Sequence, residues 1–196
     1  MSFVKGLYSY YDCLNIEWKI AAAVLGIVFS YIMYRRYQLD KVMVSQAVAS
    51  VSIVVYLFFV FASTVFSRET QAAFDYKLIP FWSYQKILQG SKTLLRENIY
   101  NIVMLMPVGC LLPIAVSQQR RKRNDKQIIA IGCLCSVLIE LLQLVMKRGL
   151  FEFDDIFHNT LGMWIGYWIY YKVHWRIRYS RCCKSDFIEN RILRNK

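Results

Sequence analysis

The segment "FEFDDIFHNTLGMWIGY", residues 151–167, decides the fold of this 196-residue chain. It begins with paired carboxylates at Asp154 and Asp155 and turns, within about two helical turns, into a run of apolar residues. Such a segment predicts a membrane-spanning helix whose first turns carry polar side chains. Those polar residues need an explanation, because a charge inside a bilayer is costly.

The rest of the chain has the composition of a membrane protein. Hydrophobic residues make up 57% of it, and they lie in long blocks instead of recurring with a period of 2 or 3.6. Each block approaches the roughly 20 residues that cross a bilayer as a helix. We therefore predict an all-α polytopic membrane helical bundle with about five transmembrane helices. The predicted spans are residues 18–34, 42–66, 97–116, 127–146 and 155–171.

The distribution of charge predicts the orientation. The formal net charge is +12, and 16 of the 25 Lys and Arg residues lie in the turn after the first span, in the turn "SQQRRKRNDKQ" and in the tail from Lys172. Basic loops stay on the cytoplasmic side, so we predict the N-terminus outside and the C-terminus inside. The aromatic and basic tail is typical of anchoring to membrane lipids, not of nucleic-acid binding. The six cysteines lie mainly in spans and in this tail, which predicts no disulfide framework.

Polar residues recur near the outer ends of the last three predicted spans. Asn98 and Asn101 lie three residues apart in the third span, and Glu140 and Gln143 have the same spacing in the fourth. Residues with this spacing share one face of a helix. At a rise of about 1.5 Å per residue, Asn101, Glu140 and Asn159 reach a similar depth, roughly 6–9 Å below the outer boundary.

We interpret these residues as an outward-facing polar pocket. Arg148, in the outer loop before the fifth span, is the expected counter-charge for Glu140 and the aspartates. The predicted ligand-binding residues are Asn98, Asn101, Glu140, Gln143, Arg148, Asp154, Asp155 and Asn159.

Structural roles for the same residues stay open. Amides and carboxylates in spans often bridge helices by hydrogen bonds, and Asp154 could be an ordinary N-cap. His158 lies beside two aspartates, but no second histidine accompanies it, so we predict neither a metal nor another cofactor. Gly162 and Gly166 form a GxxxG spacing that lets another helix approach closely, either within the chain or in a homo-oligomer.

Four segments, in order and spacing, resemble the VanZ-like family of bacterial integral membrane proteins. They are "KLIPFW", "NIVMLMPVGCLLP", "IELLQ" and "RGLFEFDDIFHNTLGMWIG". The resemblance covers about residues 78–171. It divides the chain into an N-terminal region with two spans (1–77), a VanZ-like core with three spans (78–171) and a basic cytoplasmic tail (172–196).

The resemblance implies a multi-pass protein of the bacterial cell membrane, linked to resistance against teicoplanin and related lipoglycopeptides. It implies no reaction. Our first hypothesis is a non-enzymatic pocket that binds a lipid-linked cell-wall precursor or modulates antibiotic access. The alternative is an intramembrane enzyme that modifies a lipid or lipid-linked headgroup, with Glu140 or Asp155 as general base and Arg148 holding phosphate or carboxylate. No nucleophile is evident, which favours the first hypothesis.

Overall fold

The fold is known from a computed structural model, which describes residues 16–66, 70, 72–116 and 125–194, with side chains described up to residue 174. Within these ranges the chain forms six α-helices and two short strands. They are α1 (Ile16–Gln38), α2 (Val44–Phe61, continued by a π-helical turn at Ala62–Phe66), β1 (Asp75–Lys77), α3 (Trp82–Leu88), α4 (Lys92–Ala115), α5 (Asp125–Val145), β2 (Leu150–Glu152) and α6 (Phe153–Arg194). The predicted all-α bundle is confirmed.

Four of the described helices are long and apolar enough to cross a membrane: α1, α2 with most of its π turn, α4 and α5. The predicted fifth span lies inside α6, which begins with polar turns and continues far into the basic tail as one 42-residue helix. Its apolar stretch is therefore shorter than those of the other four. The count of five spans and the orientation of the termini stay predictions.

The closest helix pair is α4 against α6, and glycines make the approach possible. A Cβ atom at Gly109 would overlap the backbone carbonyl oxygen of Met163. Cβ atoms at Gly162 and Gly166 would overlap the carbonyl oxygens of Ile102 and Met106. The two backbones are thus in direct contact over more than a helical turn. The glycine spacing of the fifth span serves α4 of the same chain; a homo-oligomer through Gly162 and Gly166 stays a prediction.

The core lies beside this glycine contact. Leu105, Met163 and Tyr167 are fully buried there, together with Ile128 of α5. Tyr56 ties α2 to the same region, because its hydroxyl donates to the carbonyl oxygen of Met104 at 2.8 Å. The large apolar residues of α1, by contrast, are mostly exposed, as expected for a helix that faces lipid.

A short parallel strand pair closes one end of the bundle. Asp75 pairs with Leu150, and Lys77 pairs with Glu152. The pair brings the segment after α2 beside the segment after α5, next to the first turns of α4 and α6. We call this assembly the polar end; it consists of residues 72–101 and 136–160.

Glycine at position 162 should be irreplaceable, whereas position 132 should tolerate change. The Gly162→Ala substitution places a methyl group against a backbone carbonyl that cannot move alone, so we expect a loss of about 3 kcal/mol or more in stability. A Cβ atom at Gly132 would lie 3.1 Å from its nearest neighbour, the flexible Met163 Sδ, so Gly132→Ala should cost far less. Thermal unfolding of both variants in mild detergent measures the difference. Equal midpoints would contradict the assigned backbone contact.

Candidate functional site

A buried carboxylate, Asp154, joins α6 to α3. Its Oδ1 accepts the backbone N–H of Phe81 at 2.5 Å, and its Oδ2 accepts the N–H and the hydroxyl of Ser83 at 3.1 and 2.6 Å. The Ser83 Oγ in turn accepts an N–H of Asn98 at 3.1 Å, which adds α4 to the network. Asp154 therefore caps the N-terminus of α3, a different helix from the one that carries it.

The hydrogen bonds of Asp154 hold Phe81 in an unusual backbone conformation. Phe81 precedes the first residue of α3 and has φ 60° and ψ 22°, in the left-handed region that bulky residues avoid. This conformation costs roughly 1–2 kcal/mol. Hydrogen bonds to a buried carboxylate are stronger than neutral ones and compensate for this cost. Asp154 thereby fixes the direction in which the chain enters α3.

Glu140 and Gln143, both on α5, hold β2 and the π-helical turn of α2 by hydrogen bonds. Glu140 is buried, and its Oε2 accepts the backbone N–H of Glu152 in β2 at 3.1 Å. The Gln143 amide donates to the carbonyl oxygen of Thr64, in the π turn of α2, at 3.1 Å. One face of α5 thus holds both β2 and α2 by their backbones. The shared helix face predicted from the i, i+3 spacing is consistent with these contacts.

Asn159 connects α6 to α5 through a serine. Its amide donates to Ser136 Oγ at 3.0 Å, and Ser136 Oγ lies 3.4 Å from the carbonyl oxygen of Asp155, to which it donates. Asn159 is fully buried, yet its Oδ1 has no hydrogen-bond partner among the described residues. A buried amide oxygen without a partner is costly, so this atom is a candidate acceptor for a bound molecule or water.

His158 is also buried and also has a polar atom without a hydrogen-bond partner among the described residues. Its Nε2 lies 2.8 Å from the hydroxyl of Tyr84, and its side chain is fully buried. Nδ1 has no hydrogen-bond partner in the described part of the chain. Neutral imidazole carries one donor and one acceptor nitrogen. If the Tyr84 hydroxyl donates to Nε2, then Nδ1 carries the hydrogen and is a donor; if Nε2 donates to the hydroxyl, then Nδ1 is an acceptor.

The remaining predicted site residues have more peripheral positions. Asn101 is half-buried on α4, one turn after Asn98, and takes no part in the hydrogen bonds described above. Arg148 is half-buried between α5 and β2, where its backbone N–H donates to the carbonyl oxygen of Gln143 at 2.8 Å. Asp155 is half-buried and joins the Ser136 contact through its backbone oxygen.

Sequence reasoning missed four residues that the structure places at the centre of these contacts. Ser83, Tyr84, Ser136 and Glu152 each bond to a predicted residue or to its neighbour. None of them belongs to a spacing that marks a site; only the position of Ser83 and Tyr84 beside the "PF" segment could have indicated the first two. Among the described residues, no group of three or more His, Cys, Asp or Glu side chains is placed to hold a metal ion.

Glu152 carries the clearest electrostatic effect outside the helices. Its Oε2 accepts the indole N–H of Trp82 at 3.1 Å, and Lys77 Nζ lies 3.6 Å from the centroid of the Trp82 ring. Burial raises the pKa of Glu152 above its usual 4.5, although the Trp82 hydrogen bond and the charge of Lys77 act in the opposite direction. The folded state therefore favours the protonated carboxyl more than the unfolded state does.

Comparison with known protein families gives a match. The family model described as VanZ/LLP1 matches residues 47–176, about two thirds of the chain. The match begins inside α2, before the segments that carry the resemblance in the sequence, and it includes the whole polar end. No curated protein and no solved structure matches the chain.

Replacing the Asp154 carboxylate should loosen α3 before the rest of the bundle. The Asp154→Asn amide presents only one oxygen to three donors, so we expect a loss of about 2–4 kcal/mol. Trypsin should then cleave faster after Lys86, which lies in α3, and the midpoint of thermal unfolding should fall. Glu97→Gln, at an exposed position on α4, is the matched control and should behave as wild type. Unchanged cleavage after Lys86 would show that the hydrogen bonds of Asp154 do not hold α3.

The raised pKa of Glu152 predicts a pH-dependent stability difference. Because the folded state binds this proton more tightly, stability from this group is lost as pH rises from the usual pKa of 4.5 through the raised value. Glu152→Gln imitates the protonated form, so it should gain stability relative to wild type as pH rises, and this pH-dependent difference should vanish well below pH 4.5. Unfolding midpoints at several pH values measure this, with the exposed Glu17→Gln as control. A variant that loses stability relative to wild type with rising pH would contradict the assignment.

Proposed function

The chain belongs to the VanZ/LLP1 family of membrane proteins, and we propose that it acts in a bacterial cell envelope by binding a lipid-linked headgroup at its polar end, without catalysing a reaction. The ligand would be a lipid-linked cell-wall precursor, and occupancy of the site would change how lipoglycopeptides such as teicoplanin reach their target. With the N-terminus outside, the polar end lies on the outer face of the membrane, where both molecules occur.

One observation carries the proposal. After the hydrogen bonds within the polar end are formed, Nδ1 of His158 and Oδ1 of Asn159 still have no partner in the described chain, although both side chains are buried. Each unsatisfied buried polar atom costs about 1–3 kcal/mol, so a polar ligand that bonds to these atoms would gain stability from them. The two atoms belong to consecutive residues of α6, and polar atoms with unused hydrogen-bonding capacity are what a site for a polar headgroup needs.

The same hydrogen bonds favour binding over catalysis. Both oxygens of Asp154 hold donors of α3, and one oxygen of Glu140 holds the backbone of β2. A general base must accept a proton from its substrate, and carboxylates committed to backbone N–H groups are poorly placed for this. Their first role is to shape the polar end.

One contact supports the enzymatic alternative. The Tyr84 hydroxyl and His158 Nε2 form a 2.8 Å pair that could move a proton to or from a lipid headgroup. This hypothesis requires a chemical change in the lipids of cells that make the protein. Mass spectra of lipid extracts that are identical with and without the protein would exclude it.

Susceptibility to teicoplanin tests the proposed function. We expect a sensitive bacterial host to gain protection from the wild-type protein, and to lose it with Asn159→Ala, His158→Gln, Glu140→Gln or Asp155→Asn. The Glu17→Gln variant, exposed on α1 and outside the polar end, should protect as wild type does. Immunoblots of membrane fractions must show equal levels, since Glu140 and Asn159 also hold helices together.

The outcomes separate the hypotheses. Loss of protection at equal protein levels supports a functional polar end. Full protection by all four variants would contradict the proposal and leave the polar end with a structural role. Direct titration of the purified protein with lipid-linked precursor and with teicoplanin then identifies which of the two is bound.

A further inference from the structure

Three half-exposed aromatic rings lie together on the surface of the polar end. Phe81, Tyr84 and Phe157 are 52%, 40% and 44% exposed. The Phe81 ring centroid lies 5.8 Å from that of Tyr84 and 5.8 Å from that of Phe157. His158 is the buried member of the group, 5.6 Å from Tyr84 and 5.8 Å from Phe157 between ring centroids. We call the three exposed residues the aromatic rim.

Packing alone does not account for the rim. Phe81 keeps a costly left-handed backbone conformation, and yet about half of its side chain stays exposed. Strain of this kind is retained at sites where the orientation of a side chain matters for function. Asp154 accepts the backbone N–H of Phe81, so the polar end fixes the backbone position from which this exposed ring projects.

The electrostatic surroundings of the rim favour a positive charge. The faces of aromatic rings attract cations, most strongly where water is excluded. Asp154 lies buried behind the rim. The pKa of the Tyr84 hydroxyl is raised, mainly by burial and secondly by the negative charge of Asp154. A cation over these rings would therefore be stabilised by the ring faces and by a nearby carboxylate.

Neighbouring rings at the same end already hold ammonium groups. Lys77 Nζ lies over Trp82, and Lys147 Nζ lies 4.7 Å from the centroid of the Phe74 ring. Within the described residues, no lysine or arginine lies over a ring of the aromatic rim. The rim offers the same kind of surface without an internal cation on it.

We propose that the aromatic rim binds the ammonium group of an amine-bearing headgroup, with the ring faces of Phe81, Tyr84 and Phe157 around the cation and the Asp154 carboxylate behind them. The inference rests on the proposed function, because it names the group that the polar end recognises. The amine could belong to a lipid headgroup or to a water-soluble molecule with the same chemistry.

Two lipids that differ in the amine provide the test. Native mass spectrometry of the full-length protein in neutral detergent would measure the binding of dioctanoyl phosphatidylethanolamine and dioctanoyl phosphatidylglycerol, which share their acyl chains and their phosphate. We expect the ethanolamine lipid to bind about fivefold or more tightly. Phe157→Leu and Phe81→Leu should remove this preference. Phe153→Leu is the matched control, because Phe153 is 44% exposed at the same end and lies outside the rim.

Each outcome has a distinct meaning. If glycerophosphoethanolamine, which lacks acyl chains, displaces the lipid, then the amine headgroup alone suffices and the source can be soluble; without displacement, the lipid is the source. Equal, saturable binding of both lipids would overturn the ammonium site and leave the proposed headgroup binding intact. Absence of saturable binding of either lipid would overturn the ammonium inference, and failure of lipid-linked precursor and teicoplanin to bind as well would overturn the proposed function. Two rim variants are used so that one survives if the strained Phe81 position does not tolerate leucine.

Discussion

The arrangement of the polar end depends on the buried carboxylate of Asp154. It lies in the first turn of α6, accepts three hydrogen bonds from Phe81 and Ser83, and reaches α4 through Asn98. A buried charge is stable only when donors surround it, so these contacts form together or fail together. Burial thus turns one acidic residue into a junction of three helices and fixes the short helix α3 on the surface of the bundle.

The predicted outline of the fold follows from features that are local in sequence. Long apolar blocks indicate helices, and the Gly162 and Gly166 spacing indicates a close helix contact, which α4 provides. The partners of the polar residues could not be predicted in the same way. Ser83 and Tyr84 meet α6 across more than 70 positions, and Glu140 binds a backbone N–H, which every residue carries. No residue pattern marks such partners. The length of α6 could not be predicted either. The basic residues after Lys172 are compatible both with an irregular tail and with a continued helix, so the sequence does not mark where the helix ends.

The candidate site could be predicted as a region but not as a set of atoms. The common depth of the polar residues indicates where a site would lie, and the structure distributes those residues between two kinds of role. Asp154, Glu140 and Gln143 use their oxygens and amides to hold backbone segments, whereas His158 and Asn159 keep one polar atom each unused. From the sequence, a metal ligand is the only special role considered for His158, and the lack of a second histidine argues against it. The distinction between a holding residue and a binding residue depends on neighbours that the sequence does not place.

The glycine contact between α4 and α6 has a consequence for how this protein can change. The contact lies in the middle of α4 and in the first third of α6 and is made by backbone atoms, so it fixes their alignment without using any chemically reactive side chain. The hydrogen-bonded residues of the polar end lie beyond it. The alignment of the helices and the polar end are therefore encoded at separate positions. A lineage can exchange the aromatic and polar residues of the polar end while the same two helices stay in register.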